Sequence, residues 1–303
     1  PRFGMKTLGK ILGGLIVVVI LILSTIFVFS TQKLTHKINY TDSSPPIPRD
    51  SASKERGRHL ATAIAKCVDC HGDDFGGQVL IDALPFARVV AANITSGRGG
   101  VGATRTDDDY LRAIRHGIGA GARPLALIPA ANYWHMGDDD AGALVAYLRS
   151  LPPVDRELLP TKFGLVGRTL LLRGDLDGMF EARYIDHVKR REPPPPADTT
   201  VAYGKYLAEI GGCTGCHGPN LSGGPIPGMP PESRPAGNLT PQNLGSWTEA
   251  DFFRAVREGK RPDGTAIDST QMPVRLTRLM TDPETRAIWM FLKTVPPMAA
   301  GNR

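Results

Sequence analysis

The sequence predicts a mostly α-helical protein with two tandem copies of one domain behind a single N-terminal transmembrane helix. The run Cys-x-x-Cys-His-Gly occurs at 67–72 and again at 213–218, and the segments around it repeat. An almost unbroken apolar run at 11–29 supplies the membrane helix. The predicted organisation is an anchor at 1–37, a tether at 38–50, a first domain at 51–153, a connector at 154–198 and a second domain at 199–303.

The net charge of +6 on 303 residues is concentrated near the N-terminus. Residues 1–37 contain no acidic residue, and their basic residues are Arg2, Lys6, Lys10, Lys33 and Lys37. The rest of the chain is therefore close to neutral, and no basic stripe remains for nucleic-acid binding. The 34 glycines and 26 prolines indicate long irregular loops between the helices.

The apolar run from Ile11 to Phe29 is long enough to cross a bilayer as a helix. A cleaved signal peptide would have a shorter apolar core and a small-x-small cleavage site after it, and residues 27–32 offer none. We therefore expect the helix to remain as an uncleaved anchor. The basic residues before it favour a cytoplasmic N-terminus. The proline-rich tether that follows is expected to be extended.

The two Cys-x-x-Cys-His motifs are typical of covalent haem c attachment. Two thiols at this spacing lie on one side of a helical turn, where each can form a thioether to a haem vinyl group, and the next histidine can ligate the iron. The candidate residues are Cys67, Cys70 and His71 in the first copy and Cys213, Cys216 and His217 in the second. The motifs use all 4 cysteines of the chain. A zinc site or a redox dithiol fits less well, because each pair already has its own histidine.

Helix signals around the first motif define the elements of the first domain. Residues 53–65 are predicted to form a helix that leads into the motif, and residues 73–102 are predicted to be rich in loops. Thr106 and the acidic residues after it predict the start of a helix at 107–116, because short polar side chains accept the free amides of a first turn. A further helix is predicted at 141–150, before two prolines. The first part of the connector is predicted to pack on a domain.

The second domain repeats the first beyond the haem motif. Gly204–Leu207 corresponds to Gly57–Leu60, Asn238–Thr240 to Asn93–Thr95, Asp251–Gly259 to Asp109–Gly117, and Phe291–Pro297 to Tyr147–Pro153. The offset between the copies is nearly constant, which indicates one duplicated domain rather than a solenoid of short repeats.

On these motifs the chain resembles bacterial membrane-anchored di-haem cytochromes c, and it is similar to the cytochrome subunits of periplasmic alcohol and other dehydrogenases. The resemblance covers residues 51–299. It implies two tandem class I cytochrome c domains, in which the N- and C-terminal helices cross at Gly57 with Tyr147 and at Gly204 with Phe291. It also implies that haem is attached outside the cytoplasm. We therefore expect one span in the bacterial inner membrane, with the haem domains on the periplasmic face.

The resemblance implies a Met-Pro pair after a Gly-rich turn, where the methionine is the sixth ligand of the iron. In the second domain this is Met272, followed by proline. In the first domain the equivalent residue is Ile128, whose side chain cannot bind iron. The remaining candidates there are Met136, His135, His116 or no ligand from this chain. Met136 is the first choice, and we expect a six-coordinate first haem.

The expected function is electron transfer by two covalently bound haem c groups, not catalysis. The chain is expected to pass electrons between a dehydrogenase or quinol-oxidising complex and an acceptor such as a terminal oxidase. Its expected partners are the membrane and redox proteins, within a larger membrane complex. The alternative is a haem enzyme or gas sensor that uses an open first haem, and the sixth position of that haem distinguishes the two.

Overall fold

The computed structural model describes residues 4–41, 44–188, 193–226 and 232–302, and the chain is mostly helical, as the sequence predicts. Before the connector the helices are α1 Met5–Thr35, α2 Ser51–His59, α3 Cys67–His71, α4 Asp107–His116, α5 Ala130–Tyr133 and α6 Asp138–Arg149. After it begins they are α7 Leu165–Arg173, α8 Val201–Ile210, α9 Cys213–His217, α10 Pro241–Leu244, α11 Glu249–Glu258, α12 Val274–Thr277 and α13 Asp282–Leu292. Strands β1 Gln78–Ala83, β2 Ala87–Ala91 and β3 Lys162–Phe163 form one antiparallel sheet in that order.

Helix α1 extends beyond the predicted apolar run at both ends. Among the described residues, its segment Thr7–Thr35 is the one helix long and apolar enough to cross a membrane, with a mean hydropathy of 3.1. Its large apolar side chains are about half exposed along most of its length. A continuous apolar surface of this size suits contact with lipid rather than with water.

The connector holds the end of α1. The Arg168 guanidinium of α7 lies over the Phe27 ring at 4.3 Å and donates to the Ser30 hydroxyl at 2.7 Å. Lys33 forms an ion pair with Asp177 at 2.8 Å. These contacts combine a cation–π interaction with charge-assisted hydrogen bonds, so the first domain is tied to the anchor through the connector.

Local signals start and end the helices of the first domain as predicted. The Thr106 hydroxyl accepts from the Asp109 amide, and the Asp109 carboxylate accepts from the Thr106 amide, which forms a capping box. Gly117 follows α4 in the left-handed region, with φ of 63°. Helix α2 continues through a π-helical turn at Leu60–Ile64, so the helix predicted at 53–65 forms as two joined segments.

The segment 73–102 differs from the expected loops, because it contains the hairpin of β1 and β2. Strand β1 has no alternation of buried and exposed residues, and this explains why the sequence pattern did not reveal it. Strand β3 of the connector pairs with β2. Buried Val89, Phe163 and Leu171 join the hairpin to the connector in a small separate core. The first part of the connector therefore packs on the first domain, as predicted.

The terminal helices of each domain cross at very close range, α2 with α6 and α8 with α13. A Cβ atom at Gly57 would lie 2.0 Å from the Ala143 carbonyl oxygen. A Cβ atom at Gly204 would lie 1.9 Å from the Ala287 carbonyl oxygen, one turn before Phe291. Both glycines therefore permit an approach of two helix backbones that any side chain would block.

The two domains dock through equivalent residues of these crossing helices. His59 of α2 places its Nε2 atom 2.8 Å from a carboxylate oxygen of Glu284 in α13, and Tyr206 of α8 donates to Asp140 of α6 at 2.8 Å. His59 corresponds to Tyr206 in the repeat, so the docking follows an internal pseudo-two-fold relation. One continuous hydrophobic core contains buried residues of both domains. Apolar burial therefore stabilises the docking.

Candidate haem sites

Each Cys-x-x-Cys-His motif forms a short helix, α3 in the first domain and α9 in the second. The residue before each first cysteine has left-handed backbone geometry, with φ of 54° at Lys66 and 73° at Gly212. Glycine adopts this geometry without strain, whereas lysine does so at a cost. The Lys66 ammonium group donates to the Ile64 carbonyl oxygen at 2.8 Å, which helps to hold the turn.

Both motif histidines are oriented by a main-chain carbonyl oxygen. The Nδ1 atom of His71 lies 2.8 Å from the Ala92 oxygen, and that of His217 lies 2.7 Å from the Gly237 oxygen. A proton on Nδ1 in these bonds leaves Nε2 with its lone pair, which is the arrangement that metal-binding histidines use. These two carbonyl groups could not be predicted from the sequence, because a main-chain acceptor has no side-chain signature.

The repeated Asn-x-Thr segments hold the loops that present these carbonyl groups. Asn93 accepts from the Thr95 amide at 3.0 Å and donates to the Val154 carbonyl oxygen at 2.7 Å. Asn238 makes the same two kinds of bond, and its amide donates to the Met298 carbonyl oxygen at 2.7 Å. Each asparagine therefore ties the loop beside the histidine to the chain that follows the last helix of its domain.

A single cavity of about 1120 Å³ is lined by the cysteines and histidines of both motifs. This volume exceeds the roughly 300–1,000 Å³ that is usual for one small-molecule site. Other lining residues are largely apolar, among them Ile94, Leu148, Leu239, Trp247 and Ile288. The residues present therefore fit two large apolar prosthetic groups, each beside a pair of thiols and an oriented histidine.

The shifted pKa values of the motif residues agree with sites for two prosthetic groups. Burial raises the pKa of the Cys67 thiol to about 12 and also raises the pKa values of Cys70 and Cys213. These thiols lack the depressed pKa of a redox dithiol. Burial lowers the pKa of His71, which favours the neutral ring that a metal ligand requires. Within the described ranges, no three His, Cys, Asp or Glu residues come together as a separate metal site.

The two motifs contact each other across the domain interface. The Lys66 ammonium group, next to Cys67, donates to the Gly211 carbonyl oxygen at 2.6 Å. The Asn132 amide donates to the Thr214 hydroxyl, inside the second motif, at 2.7 Å. The two attachment sites therefore lie side by side instead of at opposite ends of the molecule.

The structure places the candidate sixth ligands differently in the two domains. Met272 lines the cavity, and Ile128 lines it at the equivalent place in the first domain. Met136 is fully buried in the hydrophobic core and is not among the described residues that line the cavity. Its ligand role stays a prediction, and this arrangement does not favour it.

The two histidine candidates of the first domain also lie apart from the cavity wall that the structure describes. His116 is buried, and its Nδ1 atom is 2.9 Å from Nδ1 of His187 in the connector. The His135 ring packs edge-on against Trp134, and its Nδ1 atom is 3.8 Å from the Glu209 carboxylate of the second domain. His116 therefore contacts the connector, and His135 contacts the domain interface.

A helical domain that presents Cys-x-x-Cys-His at the edge of an apolar cavity defines a c-type cytochrome. A family model described as "Cytochrome c" matches residues 54–152 and again residues 201–296. The chain belongs to the cytochrome c family, and it has two tandem domains of this kind. It therefore binds two covalently attached haem c groups, as the sequence predicts.

Curated relatives include subunits of several dehydrogenases. The chain is 28% identical over 275 residues to the gluconate 2-dehydrogenase cytochrome c subunit of Pantoea cypripedii, covering 81% of this chain and 60% of that protein. It is 29% identical over 275 residues to the alcohol dehydrogenase (quinone) cytochrome c subunit of Gluconacetobacter polyoxogenes, covering 82% and 57%. It is 28% identical over 261 residues to a diheme cytochrome c-type protein of Cereibacter sphaeroides, covering 76% and 82%. The chain thus spans no more than 60% of the two dehydrogenase subunits.

Proposed function

We propose that this chain is a membrane-anchored di-haem electron carrier on the periplasmic face of the bacterial inner membrane. It accepts electrons from a dehydrogenase or a quinol-oxidising complex and passes them to an acceptor such as a terminal oxidase. The observation that carries the proposal is the side-by-side placement of two haem attachment motifs around one cavity. An electron that enters at one site then has a short path to the other, through the contact between Lys66 and Gly211.

The chain's own residues hold and orient the two prosthetic groups. Each haem supplies one-electron redox chemistry when it is bound. His71 and His217 would each supply an iron ligand through Nε2, because main-chain partners orient both rings through Nδ1. Met272 would supply a thioether to the second haem, a soft ligand that favours the ferrous state and raises the potential. The largely apolar residues of the cavity wall, among them Ile94, Leu239 and Ile288, would surround the two groups.

The anchor and the connector would keep the first domain close to the membrane surface. Arg168 and Lys33 bind the connector to the end of α1, and Arg183 donates to the Lys33 carbonyl oxygen at 2.9 Å. A carrier held in this way meets membrane-bound partners by lateral diffusion or within a stable complex. The names of the relatives support the second possibility, because gluconate and alcohol dehydrogenase cytochrome subunits are among them.

The experiment is to purify the native complex from membranes through a C-terminal tag on this chain. Haem staining after denaturing electrophoresis should remain with the chain. Addition of gluconate or ethanol, each tested separately, should reduce the haems when the matching dehydrogenase is present. Dithionite reduction of the same sample gives the full absorbance change for comparison.

The proposal predicts that the haems become reduced as fast as the dehydrogenase turns over. Haems that stay oxidised while the co-purifying dehydrogenase reduces an artificial dye acceptor would rule out the role of carrier. A purified chain that itself consumes a substrate would instead support the alternative of a haem enzyme.

A further inference from the structure

We propose that the iron of the first haem has no ligand from this chain on its distal side, and that it binds small neutral ligands of ferrous haem such as carbon monoxide or nitric oxide. The inference replaces the six-coordinate first haem expected from the sequence, and it adds ligand binding at the first haem to the electron transfer proposed above. It rests on haem attachment at Cys67, Cys70 and His71. It is carried by Ile128, which lies on the cavity wall where the second domain has Met272.

The backbone around Ile128 has the same conformation as the backbone around Met272. Pro129 has φ −78° and ψ 58°, and Pro273 has φ −76° and ψ 60°. The residue after each proline donates to the carbonyl oxygen of Ile128 or Met272, at 2.8 Å and 2.7 Å. A short helix follows in both domains. The isoleucine therefore occupies the ligand position itself, and its branched hydrocarbon side chain has no lone pair to offer the iron.

The other residues of the cavity wall do not provide a substitute. Among the described lining residues, the methionines are Met272 and Met280, both in the second domain, and the histidines are the two motif residues. The remaining side chains with lone pairs near the first motif include Tyr110 and Tyr133. Each of these hydroxyls donates to a main-chain oxygen, at 2.6 Å and 2.5 Å. Both phenol groups are therefore engaged by main-chain partners.

Met136 is fixed in the core by contacts that recur in the second domain. Its carbonyl oxygen accepts from Arg115 at 2.8 Å, and Arg115 pairs with Asp138 at 2.7 Å. In the second domain Arg257 donates to the Met280 carbonyl oxygen at 3.2 Å and pairs with Asp282. Met136 is thus the counterpart of the buried Met280, which the second domain has in addition to Met272. Reaching the iron would require Met136 to leave a fully buried site.

The connector also fixes the loop that contains Ile128. The Leu127 amide donates to the Met179 carbonyl oxygen at 2.7 Å, and the Ala131 amide donates to the Glu181 carboxylate at 2.8 Å. These bonds lie on both sides of Ile128 and come from a segment outside the haem domain. The loop is therefore held in the geometry that keeps Ile128 at the ligand position.

The apolar surroundings determine which ligand the open position would accept. On the cavity wall Ile128 lies between Leu127 and Pro129, and none of these three side chains has a donor to stabilise a bound anion. Donors such as Lys66, Arg105 and Arg112 line other parts of the cavity. Polarity and steric access on the distal side decide what a haem binds. The apolar residues at this position therefore favour neutral diatomic molecules on ferrous iron.

The test is carbon monoxide titration of the dithionite-reduced full chain in detergent, with haem content measured on the same sample. The expected result is rapid uptake of about one equivalent for each two haems. Haem content separates failure of the di-haem proposal from failure of this inference. No uptake by a chain with both haems would overturn the inference.

Three variants test whether the first haem is the one that binds carbon monoxide. Ile128→Met supplies a thioether at the ligand position and should abolish rapid uptake. Met272→Ile makes the second domain match the first and should about double the uptake. Met136→Leu conserves side-chain volume and should leave uptake unchanged.

The opposite pattern of results would contradict the inference. If rapid carbon monoxide uptake persists in Ile128→Met, the iron that binds it is not that of the first haem. Uptake that rises in Met136→Leu would identify Met136 as the ligand that was removed. Circular dichroism of each variant checks that the helices remain. If Ile128→Met fails to fold, carbon monoxide uptake by the unmodified chain and by Met272→Ile still tests the inference.

Discussion

The first and second domains use one backbone framework to hold different side chains at the interface between them. The first domain contributes His59 and Asp140, and the second contributes Tyr206 and Glu284 at the corresponding places. One contact is therefore an imidazole with a carboxylate, and the other is a phenol with a carboxylate. The crossing glycines and the Asn-x-Thr turns are the same in both domains. The shared framework therefore positions the two attachment motifs alike, while single side chains differ between the domains.

The loops that contain Ile128 and Met272 differ in sequence and also in the contacts that hold them in place. In the first domain the loop is bonded to the connector at Met179 and Glu181, and the connector in turn holds the anchor helix. In the second domain the Met272 amide donates to the Asp268 carbonyl oxygen at 2.9 Å, within its own loop. The loop of the first domain is thus linked through the connector to α1, whereas the loop of the second domain is held by its own residues.

Among the variants that test the difference between the two domains, Met272→Ala is expected to have the largest effect. Loss of the thioether should remove the weak sulfur-to-iron absorption band of the ferric spectrum and lower the potential of the second haem. The redox potentials of haem proteins vary over roughly 0.8 V with the identity of the axial ligands. We therefore expect a substantial fall in the potential of the second haem. Spectroelectrochemical titration of the full chain measures both effects. Met280→Leu is the matched control, and an unchanged potential in Met272→Ala would exclude Met272 as a ligand.

The next effect concerns the helix crossings that the two domains share. Gly204→Ala and Gly57→Ala would each bring a methyl group against a main-chain oxygen, at 1.9 Å and 2.0 Å. Each should reduce the free energy of unfolding by about 1–3 kcal/mol or more, because a carbonyl group in a helix cannot move aside. Urea unfolding followed by circular dichroism provides the measurement. Gly178→Ala, where nothing lies within 4 Å, should change stability little.

If either crossing variant were as stable as the unmodified chain, the close approach of that pair of helices would be wrong. A loss confined to one of the two variants would indicate that one domain alone depends on this packing. Equal losses would support the equivalence of the two crossings.

The helices, caps and attachment residues could be predicted because their signals are local in sequence. Thr106 and Asp109 are three positions apart and form the predicted cap. The haem motifs specify attachment chemistry within a few residues. The replacement of methionine by Ile128 was also visible, because the repeat supplied Met272 for comparison.

Features that depend on distant parts of the chain could not be predicted in the same way. Strand β3 consists of Lys162–Phe163 and forms only by pairing with β2, far earlier in the sequence. The acceptors for His71 and His217 are main-chain oxygens of Ala92 and Gly237, whose side chains are irrelevant to that role. The core position of Met136 depends on Arg115, which is buried by tertiary packing.

The smallest predicted effect concerns the acid stability of the domain interface at Glu284, which is 5% exposed. Burial alone would raise the pKa of this carboxyl, but hydrogen bonds from His59 and the Thr281 amide and the charge of Arg56 outweigh it. The pKa of Glu284 therefore lies below its usual value of 4.5. The unfolded chain takes up the proton first as the pH falls. The stabilisation is thus complete above about pH 4.5 and is lost as the pH falls through the lower folded pKa.

Glu284→Gln should remove this contribution and should flatten the decrease in stability below pH 4.5. Urea midpoints at neutral pH and at several acidic values measure the slope for both proteins. Glu249→Gln is the control, because Glu249 pairs with Arg286 on the exposed surface, where an ion pair contributes little. The same acid slope in Glu284→Gln and in the unmodified chain would show that the contact between His59 and Glu284 does not stabilise the docked domains. A slope lost in Glu284→Gln and kept in Glu249→Gln would assign the acid sensitivity of the docked domains to the contact between His59 and Glu284.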